Sequence, residues 1–90
     1  MTLTDLPGGD LVARGLADLA NRLETPEALL ASIGAPRLRS LGFTLSDVFD
    51  EPERRLYEQL AKTHGDGAHS RYNALVRRLV SFQRAAACAR

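Results

Sequence analysis

The sequence predicts an all-α fold, a small bundle of four to five helices with a long amphipathic helix at its C-terminal end. Three observations carry that prediction. From Ala68 to Ala87 the chain reads AHSRYNALVRRLVSFQRAAA, with apolar residues at Ala68, Tyr72, Leu75, Val76, Leu79, Phe82 and Ala86. That is the three-and-four spacing of one helix face, and no Gly or Pro interrupts it. Two start signals for helices, Thr25-Pro26-Glu27 and Asp50-Glu51-Pro52-Glu53, stand earlier in the chain. The only stretch that alternates in a strand-like way is Phe43–Phe49, FTLSDVF, and there is no second strand to pair with it.

Taken in order, residues 1–9 hold Thr, Pro and two Gly and read as a flexible lead-in to a single helical domain over 10–90. Asp10 is the candidate N-cap of a first helix running to about Glu24, with Val12, Leu16, Leu19, Ala20 and Leu23 on its apolar face. Gly15 lies inside it, at a cost of about 1 kcal/mol relative to Ala unless it permits close helix approach. In the second helix Thr25 caps, Pro26 occupies the first turn and Glu27 meets the positive end of the dipole. Leu29, Leu30 and Ile33 are its apolar residues, and Gly34 is expected to end it in a left-handed cap. Pro36 opens a short third helix with Leu38 and Leu41, stopped by Gly42.

Residues 43–49 are expected to be a loop or single turn whose Phe43, Leu45, Val48 and Phe49 pin the two halves of the chain. Pro52 starts a fourth helix through Leu56, Tyr57, Leu60 and Ala61 to about His64. Gly65-Asp66-Gly67 is a tight turn, with Asp66 the expected N-cap of the long helix. A turn that short makes the last two helices an antiparallel hairpin, the expected scaffold on which the shorter helices dock.

Composition narrows the class. Ninety residues with 44% apolar and 26% charged content make one globular domain, small enough to leave part of its apolar surface for a partner. Twelve basic against 11 acidic residues give a net charge of +1, so no global field favours nucleic acid or membrane. The distribution is uneven, because all basic residues but Lys62 are Arg and no acid follows Arg71. Such a bias is also what a GC-rich bacterial genome produces. The lone Cys88 excludes an internal disulfide and a multi-thiolate zinc site. No run approaches the ~20 apolar residues of a membrane span. The N-terminal residues lack a signal-peptide pattern, so a cytoplasmic location is expected.

Four constellations bear on function. A helix-turn-helix-like unit at 26–43 would present Arg37 and Arg39 to DNA, although its second helix is short and Ser40 stands where a buried aliphatic is expected. His64 and His69 flank the GDG turn but lie on different helices with no fourth ligand nearby, so no metal site is predicted. Tyr72, Asn73, His69 and Arg71 cluster near a helix start without a nucleophile–base–orienter set, so neither catalysis nor a cofactor is expected. On the long helix Arg71 and Arg78 share one flank and Arg77 and Arg84 the other, each pair two turns apart. Val80 and Ala87 at the margin extend an apolar strip beside them.

The expectation is therefore a non-enzymatic protein-interaction module, a small bacterial accessory or antitoxin-like protein. Its helical surface would take a protein partner or a second copy of itself, as in a homodimer. The alternative is a DNA-binding transcriptional regulator acting through Arg37 and Arg39.

Overall fold

The run Ala28-Leu29-Leu30-Ala31 gives a helix no polar side with which to face water, and the fold is arranged around it. The computed structural model describes residues 5–89 and shows five α-helices and no strand among them. They are α1 (Gly9–Ala20), α2 (Pro26–Ile33), α3 (Ala35–Ser40), α4 (Pro52–His64) and α5 (Ala68–Cys88), with a 3-10 turn at Gly65–Gly67 between the last two. α1, α2, α4 and α5 pack in a ring, each against the next, and α2 also reaches α5 across it. Residues 28–32 of α2 are all buried. The α4–α5 hairpin is the scaffold that the sequence leads one to expect, yet its long helix α5 buries only Ala68, Leu79, Phe82 and Ala86, and the common neighbour of the other four helices is α2.

Local chemistry explains how so short and apolar a helix is held. Thr25 Oγ accepts the Ala28 amide hydrogen at 3.1 Å, the expected cap, and donates its own hydrogen to Asp18 Oδ2 at 2.6 Å. Buried Ser32 donates to the Ala28 carbonyl at 2.9 Å, so its hydroxyl is satisfied within the helix. The buried carboxylate of Asp18 also faces Arg14 at 3.6 Å. Every buried polar side-chain atom among the described residues has a partner.

Several boundaries differ from the sequence reading. α1 starts at Gly9, after a left-handed Gly8 with φ 71°, so Asp10 is a first-turn residue and not the cap. It ends at Ala20, and Leu23 has already turned outward to 50% exposure. Gly34 has φ −85° and is no left-handed cap; it joins α2 directly to α3. A Cβ there would stand 2.8 Å from Leu79 Cδ1 and 2.9 Å from Gln83 Nε2, so this glycine serves close approach to α5. Asp66 lies in the 3-10 turn and does not cap α5.

Of the expected lead-in, residues 1–4 lie outside the described residues. Leu6 packs against the core and Gly8 sits against the Arg78 carbonyl. The 43–49 segment has no regular structure, as expected, and its Phe43 ring lies 5.7 Å from that of Phe82. No described helix is long and apolar enough to cross a membrane.

Gly15 decides how α1 meets α2. An added Cβ would lie 2.4 Å from the Glu27 carbonyl oxygen and 3.0 Å from Ala31 Cβ, where backbone cannot yield cheaply. Helix propensity alone would make Gly15→Ala stabilising by about 1 kcal/mol. Overpacking opposes it by about 1–3 kcal/mol, and with backbone as the obstacle the upper part of that range applies. Gly15→Ala is therefore expected to lower the urea midpoint of unfolding, and by more than Gly34→Ala, whose obstacles are flexible side-chain ends. A midpoint raised by Gly15→Ala would contradict the close approach.

Candidate interaction surface on the C-terminal helix

α5 spans 21 residues and carries four arginines and no carboxylate in its described length. The two arginine flanks have different surroundings. Arg78 donates to Asp10 Oδ1 at 3.0 Å, tying the first turn of α1 to the middle of α5. It is thus engaged within the molecule. Arg71, Arg77 and Arg84 are exposed and form no ion pair with any described residue. Other arginines contrast with them: Arg54 bonds Glu58 at 2.7 Å and also binds Glu51, while Arg55 bonds Glu24 at 2.8 Å. The Arg54 guanidinium holds the Glu51 carboxyl below its usual range, first through the hydrogen bond and then through its charge.

Helical register arranges the free face. Arg77 and Arg84 stand two turns apart, about 10 Å along the axis. Val76, Val80 and Ala87 form a neighbouring row; Val80 is 37% exposed and the other two are half-buried. Beyond that row Leu79 and Gln83 meet Gly34, whose carbonyl accepts from Gln83 Nε2 at 3.3 Å. The surface is thus an apolar row edged by Arg77 and Arg84, which pair with no carboxylate among the described residues.

Arg37 and Arg39 are also exposed and without an ion pair among the described residues. The helix carrying them, α3, has six residues, about 9 Å, and follows α2 with Gly34 alone between them. Ala35 and Leu38 are its buried residues, and Ser40 is exposed.

At the α4–α5 hairpin the structure brings His69, Tyr72 and Asn73 together and adds Tyr57. The Tyr57 ring centroid lies 5.9 Å from that of Tyr72 and 6.5 Å from that of His69. Asn73 Nδ2 and His69 Nε2 are 3.2 Å apart, one turn apart on α5. Arg71 is not drawn into this group by any hydrogen bond or ion pair with a described residue. The sequence reading has Tyr57 only as an apolar residue of the fourth helix, because its partners lie across the hairpin; the short GDG turn is the signal that could place it in this group. His64 ends α4, and no group of three or more His, Cys, Asp or Glu among the described residues could hold a metal ion. Cys88 is exposed at the end of α5.

No protein-family model, curated protein or solved structure matches this chain.

Burial against the hairpin pushes the Tyr72 phenol above its ordinary value of 10.0, and the Glu53 carboxylate adds to the shift. The native state therefore keeps this proton longer than the unfolded chain does. Its contribution to stability is fully present below pH 10 and is lost as pH rises through the higher native value. Absorbance titration should show a late phenolate component that Tyr72→Phe removes and Glu53→Gln moves only part of the way down. Persistence of the late component in Tyr72→Phe would refute the assignment.

Proposed function

We propose that this protein is a non-enzymatic interaction module whose α5 outer face docks a helix bearing acidic residues on a larger protein partner. The observation that carries this reading is the pair Arg77 and Arg84, exposed with no carboxylate partner among the described residues while Arg14, Arg54, Arg55 and Arg78 have theirs; Arg71, on the other flank of α5, is likewise exposed without one. Arg forms bidentate bonds with carboxylates and is enriched in protein interfaces, so a helix with two acids two turns apart complements Arg77 and Arg84. Its apolar side would cover Val76, Val80 and Ala87. The role is that of a small accessory or antitoxin-like protein acting in the cytoplasm on that partner.

A photo-crosslinking amino acid at Val80, used in the native host, tests this directly, with the same group at exposed Ala61 of α4 as control. The expected product is an adduct specific to position 80, mapping to an acidic helical segment of another protein. Arg77→Glu with Arg84→Glu should weaken capture by about tenfold or more, since two modest exposed attractions become repulsions. That double variant should leave the urea midpoint unchanged, whereas Arg78→Glu should lower it by setting like charges opposite at Asp10. Adducts to nucleic acid alone, with recovery that falls steeply with salt, would transfer the reading to Arg37 and Arg39. Adducts to the protein itself would make the partner a second copy.

A further inference from the structure

We propose that residues 43–50 are a releasable strap, latched by Arg22, that uncovers one face of α1 and α2 while the helices stay folded. The segment leaves Gly42 and reaches Glu51, both left-handed, with φ 100° and 47°. Between those two hinge points, Leu45, Val48 and Phe49 pack onto the small buried cluster Leu19, Ala28 and Ala31, while Phe43, Leu45 and Phe49 also touch the edge of the main core. Thr44, Ser46, Asp47 and Asp50 face outward.

What holds the strap is unlike what holds the helices. Among the described residues, its backbone donates two hydrogen bonds, from Phe43 N–H to the Leu38 carbonyl at 3.0 Å and from Phe49 N–H to Ser32 Oγ at 3.3 Å. In return the Asp47 carbonyl accepts from the Arg22 guanidinium. The same guanidinium lies over the Phe49 ring, its central carbon 4.7 Å from the centroid. Arg22 reaches both because its backbone is left-handed, φ 56°, as the chain leaves α1. A segment with so few backbone bonds opens locally with little to break, so opening is governed by the latch and four apolar side chains, Phe43 on the Phe82 ring among them. Its hinges are at its ends, where a few dihedrals absorb the motion. Beneath it Leu19 and Ala28 are fully buried, and release would bare them.

Thiol labelling with an aromatic disulfide reagent tests the strap. The background is Cys88→Ser, with Ala28→Cys beneath the strap and Ala68→Cys in the main core as the comparison. Ala28→Cys should label at least about tenfold faster than Ala68→Cys, at a rate insensitive to low urea, as local opening requires. Arg22→Gly, which suits the left-handed backbone, should speed labelling at Ala28→Cys by about two- to fivefold through loss of the ring contact. It should leave Ala68→Cys and the helical circular dichroism unchanged. Equal rates at both sites, rising together with urea, would show exposure only by global unfolding and overturn the proposal. So would an Arg22→Gly variant that labels like its parent.

Discussion

Five successive buried residues, 28–32, leave α2 no solvent face, so each remaining element has to cover one of its sides. An isolated helix of eight residues is not stable in water, and α2 persists through its cap and its neighbours. Burying Leu29 and Leu30 contributes about 1.5–3 kcal/mol each, an upper estimate against a realistic unfolded chain. That gain requires α1 to approach within backbone distance at Gly15, and α3 to turn off α2 at once under Leu79 and Gln83. The Asp18–Thr25–Ala28 relay links the end of α1 to the start of α2 across the intervening turn. A short hydrophobic helix thus sets the angle of its flanking elements, and the longest helix is fitted to the result.

Charges do a different job. Arg55 to Glu24, Gln59 to the Glu24 carbonyl and Arg78 to Asp10 each join elements distant in the chain. Exposed pairs of this kind contribute about 0–1 kcal/mol each, too little to hold the fold against its entropy. Their effect is on register: α4 is fixed against the α1–α2 turn, and α1 against α5. Once those pairs are made, Arg71, Arg77 and Arg84 of α5 have no acid paired with them among the described residues.

The helices themselves were readable, because three-and-four spacing, Thr25-Pro26, Pro52 and the GDG turn are local signals. What was not readable depends on what lies opposite. Gly34 looks like a helix stop, and only the nearness of Leu79 and Gln83 shows why a side chain is excluded there. Arg78 belongs to a seven-residue row with Arg71, and a row cannot disclose that Asp10, 68 positions away, meets one member. Asp18, Arg22 and Ser32 drew no notice in the sequence, since each is an ordinary polar residue whose partner comes from a later turn or loop. The centrality of α2 was missed for the opposite reason. Its apolar run is short and non-periodic, so periodicity favoured the longer α5.

The apolar surface bears on what kind of association this face supports. Core completion between two copies needs a contiguous apolar patch, and obligate interfaces are rich in such area. The large apolar residues most exposed here are Leu23, Tyr57 and Val80, which sit after α1, on α4 and on α5. Three residues on three elements do not make that patch. Val80 with its half-buried neighbours supplies one narrow row, enough to orient a helix and too little to bind it tightly. In the docking proposed for this face, Arg77 and Arg84 would carry discrimination and encounter rate, and these would weaken with salt because the groups are exposed. A partner recognised in the proposed way would be selected by the spacing of its acids, and would exchange readily with others that share it.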